Sequence, residues 1–374
     1  MRNSIRLFRI AGIDIGIHYT WIFLFILVTW SLAAGFLPQG YPGWSQTVYW
    51  VTGAIASLLL FLSILLHELA HSLVARARGM SVNSITLFIF GGVSNLEDEP
   101  TKPRTEFVMA IVGPLTSLIL GGILWGVLQV IQTRQSPLGA TLLYLSQINL
   151  ILAAFNLLPG FPLDGGRVLR SILWGSTGNL VKATNIAGVV GIVFGWGLIG
   201  FGVFQLLGGN FLGGIWFAII GWFLSNAADS SRRDIAMRQQ LAGIQVKDVM
   251  NVSQETISPK TPVNDVVWDI FHKRHGRAVP VCDSGRLMGI VTLTDVKGLP
   301  TDKWAATSVE SIMTRQPLFT VKPEDDLSFA MKLIAQHDVN QVLVLQEGQC
   351  AGILSRADII RHLQLRQELG FAAK

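Results

Sequence analysis

His67, Glu68 and His71 stand in the order H-E-x-x-H within Phe61–Gly79, FLSILLHELAHSLVARARG. On a helix, side chains four residues apart lie one above the other on the same face. Two imidazoles so placed can share a zinc ion, and a glutamate beside them can take a proton from attacking water. A competing reading makes the three polar groups a helix end at a membrane surface, with no metal. The flanks decide between the two. From Val48 to Leu66 the chain is almost wholly apolar, and an ionisable side chain near the bilayer centre costs about 2.5–3.5 kcal/mol on insertion scales. Three such groups in five residues need a chemical task, and metal binding supplies one.

A catalytic zinc takes three protein ligands and keeps one position open, so the histidines require a third partner at the same depth. Asp164 is the candidate. It follows a helix that Pro159 must end, in Gly160-Phe161-Pro162-Leu163-Asp164-Gly165-Gly166-Arg167, and the two glycines after it permit close backbone approach. The residues leave a second role open, because an aspartate here can cap a helix over Arg167–Trp174 by accepting backbone N–H bonds. Asn156, eight residues earlier, is open in the same way. Its amide can bond a substrate carbonyl or a developing oxyanion, or it can make an ordinary interhelical bond.

Membrane-spanning elements must position these groups. Of 374 residues, 50% are hydrophobic and only 14% charged, against about 25% charged in soluble domains. The long apolar runs are confined to residues 1–228, while 229–374 has the composition of a soluble chain. Six spans are expected: Thr20–Leu37, Val48–Val74, Phe107–Ile131, Thr141–Leu158, Ile186–Leu207 and Phe211–Ala228. Each approaches the roughly 20 residues that cross a bilayer core. Gly113 and Ser117 in the third span read as small residues for close helix packing.

Two short strands are also expected. Ile13, Ile15 and Ile17 alternate with small or polar residues, the period of a strand. Ser81–Phe90 is apolar, too short to cross as a helix, and stopped by Gly91-Gly92. Open sheet edges do not face lipid, so this strand belongs beside the first, at the interface or in a protein-lined cleft. An extended substrate could pair with its edge. His18, just after the first strand, reads as an interfacial polar group.

The formal charge of +5 comes from no basic face or stripe, which argues against a nucleic-acid partner. Arginines and lysines follow membrane topology instead. Arg2, Arg6, Arg9, Arg76, Arg78, Lys102, Arg104, Arg167, Arg170, Lys182, Arg232 and Arg233 fall on one side and only Arg134 on the other. The positive-inside rule then puts both termini in the cytosol. The two cysteines, Cys282 and Cys350, have no Cys or His neighbours at metal spacing and read as small core residues in a reducing compartment.

H-E-L-A-H at His67–His71, F-G-G at Phe90–Gly92 and N-x-L-P-x-x-P-L-D-G-G-R at Asn156–Arg167 together resemble the site-2 protease family of intramembrane zinc metalloproteases. The resemblance covers residues 1–228. It implies a multi-pass α-helical membrane domain, about six helices with short interfacial β-strands, in a prokaryotic cell (inner) membrane and its lipid. It implies one Zn2+ per chain held by His67, His71 and Asp164, with Glu68 as catalytic acid/base. Asn156 would orient substrate or stabilise the intermediate. Substrates would be transmembrane helices of membrane-anchored proteins, locally unwound.

Residues 229–242, rich in Arg, Gln and Ser, read as a linker. Beyond it the chain repeats at an offset of 63: Val246–Met250 with Val309–Met313, Ala278–Val281 with Gln341–Val344, and Gly289–Asp295 with Gly352–Asp358. A constant offset over three segments means duplication. The copies, 243–300 and 301–374, resemble a pair of α/β CBS domains, a module that binds adenine nucleotides between its two halves. The resemblance carries that role to Thr292 with Asp295 and Ser355 with Asp358. The alternative is that both aspartates only cap the following helices, the pair serving to form a homodimer.

Other functions remain to be weighed. A nucleotide-gated metal transporter would need metal-binding groups across the whole bilayer, whereas this sequence offers one cluster on one side. An inactive membrane scaffold would not require Glu68 and Asp164 to be intact.

Overall fold

The computed structural model describes residues 4–89, 91–96, 100–130, 134–252, 256–273, 277–283, 286–315 and 317–369. Arg2, Phe90 and Ile131 of the sequence reading lie outside these. The chain forms two compact units, Met1–Ile235 and Ala236–Lys374.

Six helices of the chain are long and apolar enough to cross a membrane: α1 (Trp21–Gly40), α2 (Gln46–Ala77), α3 (Pro103–Val130), α4 (Pro137–Asn156), α6 (Leu180–Leu207) and α7 (Phe211–Leu241). Between α4 and α6 lies a shorter helix, α5 (Asp164–Thr177). All six expected spans are helical, and most extend beyond their apolar centres. Ser45 starts α2 by accepting the Val48 N–H, and Arg76 sits in its last turn. The stretch 229–241, expected as a linker, continues α7 instead. It contains no Gly or Pro before Gly243, and Arg, Gln and Ala favour helix. Its polarity marks the departure from lipid, not the end of the helix.

A four-stranded sheet, ordered β1-β2-β3-β4, completes the first unit. Strands β1 (Ser4–Ile10) and β2 (Ile13–His18) form an antiparallel hairpin. β2 pairs in parallel with β3 (Val82–Phe88), from Asp14↔Ser84 to Ile17↔Leu87, so the two expected strands are neighbours. β4 (Gly91–Leu96) runs antiparallel to β3. Gly91-Gly92 therefore opens a strand where a stop was expected. This makes β3 an interior strand, with no edge for a substrate; among the described residues the free edges belong to β1 and β4. Ile13, Ile15, Val82 and Ile85 pack with Leu65, Ala75 and Met109, which seats the sheet on α2 and α3.

In the second unit, β5 (Ala278–Asp283) pairs with β6 (Arg286–Thr292), while β7 (Thr320–Val321), β8 (Gln341–Gln346) and β9 (Gln349–Ser355) form the equivalent sheet. The duplication extends to irregularities: register breaks at Val281/Cys282 in one copy and Val344/Leu345 in the other. Each copy's opening segment is packed into the other copy. Val246 is buried with Leu327, Ile334 and Val342, and Val309 and Met313 are buried with Val263, Val279 and Val291. The Asn251 N–H donates to the Ile353 carbonyl at 2.9 Å, and Ile290 to Thr314 at 3.1 Å. A Cβ at Gly352 would stand 2.6 Å from the Asn251 oxygen, and one at Gly289 2.7 Å from the Thr314 oxygen. The repeated glycines are what allow the exchanged segments to lie so close. Ala278, Leu287 and Ile290 meet Leu343 and Ile353 between the copies, with Cys282 and Cys350 at the margin. Burial pushes both thiols up, as suits core residues.

Candidate metal centre and active site

α2 presents His67 and His71 one turn apart, and the first residue of α5 presents Asp164 to both. Asp164 Oδ2 lies 3.1 Å from His67 Nε2 and 3.1 Å from His71 Nε2, and the two Nε2 atoms are 3.2 Å apart. A tetrahedral ion with bonds of about 2.05 Å spaces its ligands by about 3.3 Å, so the triangle has the right size. Among the described residues these three form the group of ligand-type side chains able to hold a metal ion. Asp164 does not cap its helix. The N-cap position is Leu163, with no side-chain cap, and the carboxylate turns to the histidines.

Proton positions support the same fit. The Met109 carbonyl can only accept, so at 2.6 Å it takes the proton of His71 Nδ1. A neutral His71 then offers a lone pair at Nε2, facing a carboxylate that also only accepts. Acceptor atoms this close repel one another unless a cation stands among them. Two imidazoles and one carboxylate are a donor set that zinc takes readily.

The third span closes the site from the other side. Ser117 Oγ lies 2.9 Å from His67 Nδ1. A Cβ built on Gly113 would fall 2.1 Å from His71 Nε2 and 2.7 Å from His67 Nε2, in the space an ion would occupy. The close helix approach expected of these small residues is made against the histidine-bearing helix, so both also line the cluster. In the same turn, Pro114 has no N–H to give Ala110 and its ring crowds that carbonyl, beside the Met109 carbonyl that orients His71.

Glu68 is met by β4. Ser94 Oγ donates to Glu68 Oε2 at 3.1 Å and lies 3.1 Å from Ser72 Oγ. A Cβ on Gly92 would come within 2.4 Å of Glu68 Cγ, which explains a glycine there. Asn156 is the last residue of α4, and its Nδ2 donates to the Leu152 carbonyl at 3.0 Å. No hydrogen bond joins it to the cluster among the described residues.

α5 itself is anchored. Arg170 Nε donates to Glu106 Oε1 at 2.6 Å, Glu106 is fully buried, and the guanidinium lies 5.0 Å from the centre of the Phe161 ring. Arg170, counted above among charges that set topology, is neutralised inside the protein. The glycines after Asp164 do allow close approach: a Cβ on Gly165 would strike the Leu157 and Leu158 carbonyls, and one on Gly166 the Gly160 backbone.

In the second unit, Asp295 Oδ2 accepts from the Thr292 N–H and Oγ1, both at 2.7 Å, and Asp358 Oδ2 accepts from the Ser355 N–H at 3.0 Å and from its Oγ at 2.5 Å. These are capping interactions at the starts of helices Leu293–Lys297 and Arg356–Glu368. They occupy one oxygen of each carboxylate.

Residues 55–137 and 126–198 match peptidase family M50, and 246–300 and 309–365 match the CBS domain. The zinc metalloprotease MJ0392 of Methanocaldococcus jannaschii is 32% identical over 375 residues, covering 99% of both chains. A Synechocystis protein provisionally named a zinc metalloprotease, sll0528, is 37% identical over 371 residues, covering 97% of this chain and 96% of that one. A solved structure, the site-2 protease from Methanocaldococcus jannaschii, shares 35% identity over 62% of this chain and 95% of its own, with a TM-score of 0.45. The fold and site define a membrane-embedded metallopeptidase. The chain belongs to peptidase family M50, the site-2 proteases, and carries a CBS domain pair.

Proposed function

We propose that this chain is an intramembrane zinc endopeptidase that cuts peptide bonds within or near transmembrane helices of membrane-anchored substrates. The convergence of His67, His71 and Asp164 beside Glu68 carries the reading. Zinc, when bound by these three residues, supplies the Lewis acid that polarises a scissile carbonyl and acidifies water. Glu68 takes the proton from attacking water and returns it to the leaving amine. A helical peptide bond is shielded by its own hydrogen bonds, so the substrate must unwind locally. The free edge of β4, against Glu68, offers the extended segment a strand to pair with. Asn156 is left the role of orienting substrate or stabilising the intermediate, after turning away from Leu152. One metal group among the described residues suits hydrolysis better than a transport path, which would need several.

Both termini lie in the cytosol of a prokaryotic cell, as the basic residues argue, so cysteines placed at residues 40 and 240 should label from opposite sides. The CBS pair regulates cleavage by binding an adenine nucleotide through Thr292, Asp295, Ser355 and Asp358. The primary test measures bound zinc and cleavage of a transmembrane reporter in detergent. Glu68→Gln should retain zinc and lose cleavage, while His67→Ala and Asp164→Ala lose both. Normal cleavage by Glu68→Gln would sink the reading.

A further inference from the structure

We propose that Ser94 is the positioning residue for Glu68, so that the strand open to substrate also sets the catalytic carboxylate. This rests on the protease reading above. A glutamate has three side-chain torsions, and ordering such a side chain costs conformational entropy. Placement on α2 therefore brings Glu68 near His67 without fixing its carboxylate. Two features of β4 do so. The Gly92 backbone lies against the side-chain stem, where a Cβ would be 2.4 Å from Cγ. Ser94 then holds Oε2 at 3.1 Å.

The direction of the hydrogen bonds follows from their partners. Ser94 Oγ donates to Glu68 Oε2, so its single hydroxyl proton is committed to Glu68. The 3.1 Å contact between Ser94 and Ser72 must then be donated by Ser72. Ser72 is 1% exposed, on α2 one turn beyond Glu68, and gives Ser94 a rigid support. The order is Ser72 to Ser94 to Glu68 Oε2. Among the described residues no hydrogen bond is made to Oε1, which is left to receive the proton of water.

The position of Ser94 gives the arrangement its significance. Among the described residues β4 is an edge strand, with β3 on one side and no strand on the other. A substrate segment that pairs there would lie beside the strand whose Ser94 holds the base.

The test uses the full-length protein in detergent with a transmembrane reporter, comparing wild type, Ser94→Ala, Ser94→Thr and Glu68→Gln. Ser94→Ala should keep its zinc and its KM while kcat falls about tenfold, the loss of one hydrogen bond to a charged group. Ser94→Thr keeps the hydroxyl and suits a strand, so it should recover most of kcat. An unchanged kcat in Ser94→Ala, a loss confined to KM, a loss of zinc, or a Thr variant as slow as the Ala variant would each overturn the proposal. Glu68→Gln separates the two levels: if it cleaves, the protease reading fails; if it is inactive while Ser94→Ala is normal, only the positioning role fails.

Discussion

His71 is held at Nδ1 by the Met109 carbonyl and turns Nε2 toward the Asp164 carboxylate. Gly113 completes the enclosure by supplying nothing. Its missing Cβ is the space between the two Nε2 atoms, so Gly113→Ala should abolish metal binding while every ligand remains. Ser117→Ala should be milder, weakening metal affinity about 10–100-fold as outer-shell changes do. Both are measured by zinc titration against a chelator; a Gly113→Ala protein with full zinc would refute the placement. The candidate ligands His67 and His71 are legible in the sequence because zinc chemistry restricts residue types, whereas Asp164, which the residues alone leave open to helix capping, is singled out by the family resemblance. Gly113 is not legible, since a glycine in an apolar helix has no chemistry of its own. Ser94 is equally hidden: its role depends on a strand that folds back over α2. Asn156 shows the opposite limit, a residue of suggestive type whose amide is turned to Leu152.

Among the elements, α5 matters most to the site, because its first residue is Asp164 while its middle is tied to α3 by Arg170 and Glu106. Breaking one partner of a buried ion pair costs about 3–5 kcal/mol, because the other charge is stranded. Glu106→Gln should therefore lower the thermal midpoint in detergent and speed zinc loss, although it lies outside the ligand set. Zinc release as slow as wild type would separate the pair from the site. The sequence shows Glu106, Arg167 and Arg170 only as charges at a membrane boundary, and their pairing depends on a fold in which α3 and α5 meet. The spans and β3 were readable from hydrophobic length and β-branched residues. β4 was not, because Gly91-Gly92 is a stop signal to local rules, and close packing on Glu68 requires glycine inside the strand. The helix over 229–241 is hidden for a similar reason: polarity and helix propensity are separate properties, and only the first changes at the membrane exit.

At the scale of the whole molecule, the membrane unit and the CBS pair depend on different physics, and the second should be separable. Its two copies are mutually dependent, because Val246 is buried in one copy's core and Val309 in the other's. Residues 243–369 should fold as one cooperative unit, whereas 243–300 or 301–369 alone should lack stable structure by circular dichroism. Duplication at 63 residues reveals the copies but not the exchange, since the opening segments are alike and composition does not say which core receives them.

Acid should weaken the same exchange. Burial alone would raise the Asp326 carboxyl, but bonds from the Ser328 side chain and N–H and from the Gly243 N–H outweigh it and hold the group below its usual range. The stability this contributes is present above the carboxyl's unfolded pKa and disappears as pH falls through the lowered folded value. Thermal melts of 243–369 from neutral to acidic pH should show that loss, blunted in Asp326→Asn; equal acid sensitivity in both would count against it. Nucleotide regulation is the last test at this scale. The capping bonds use only Oδ2 of Asp295 and Asp358, so Oδ1 of each can still accept ribose hydroxyls. Calorimetry on 243–369 with ATP, ADP and AMP should give binding that Asp295→Ala with Asp358→Ala removes. Reporter cleavage by the intact chain should then change with the tightest nucleotide, by no more than its difference in affinity for the two states. Binding without any change in cleavage would make the pair an assembly module, and binding that survives both substitutions would place the nucleotide elsewhere.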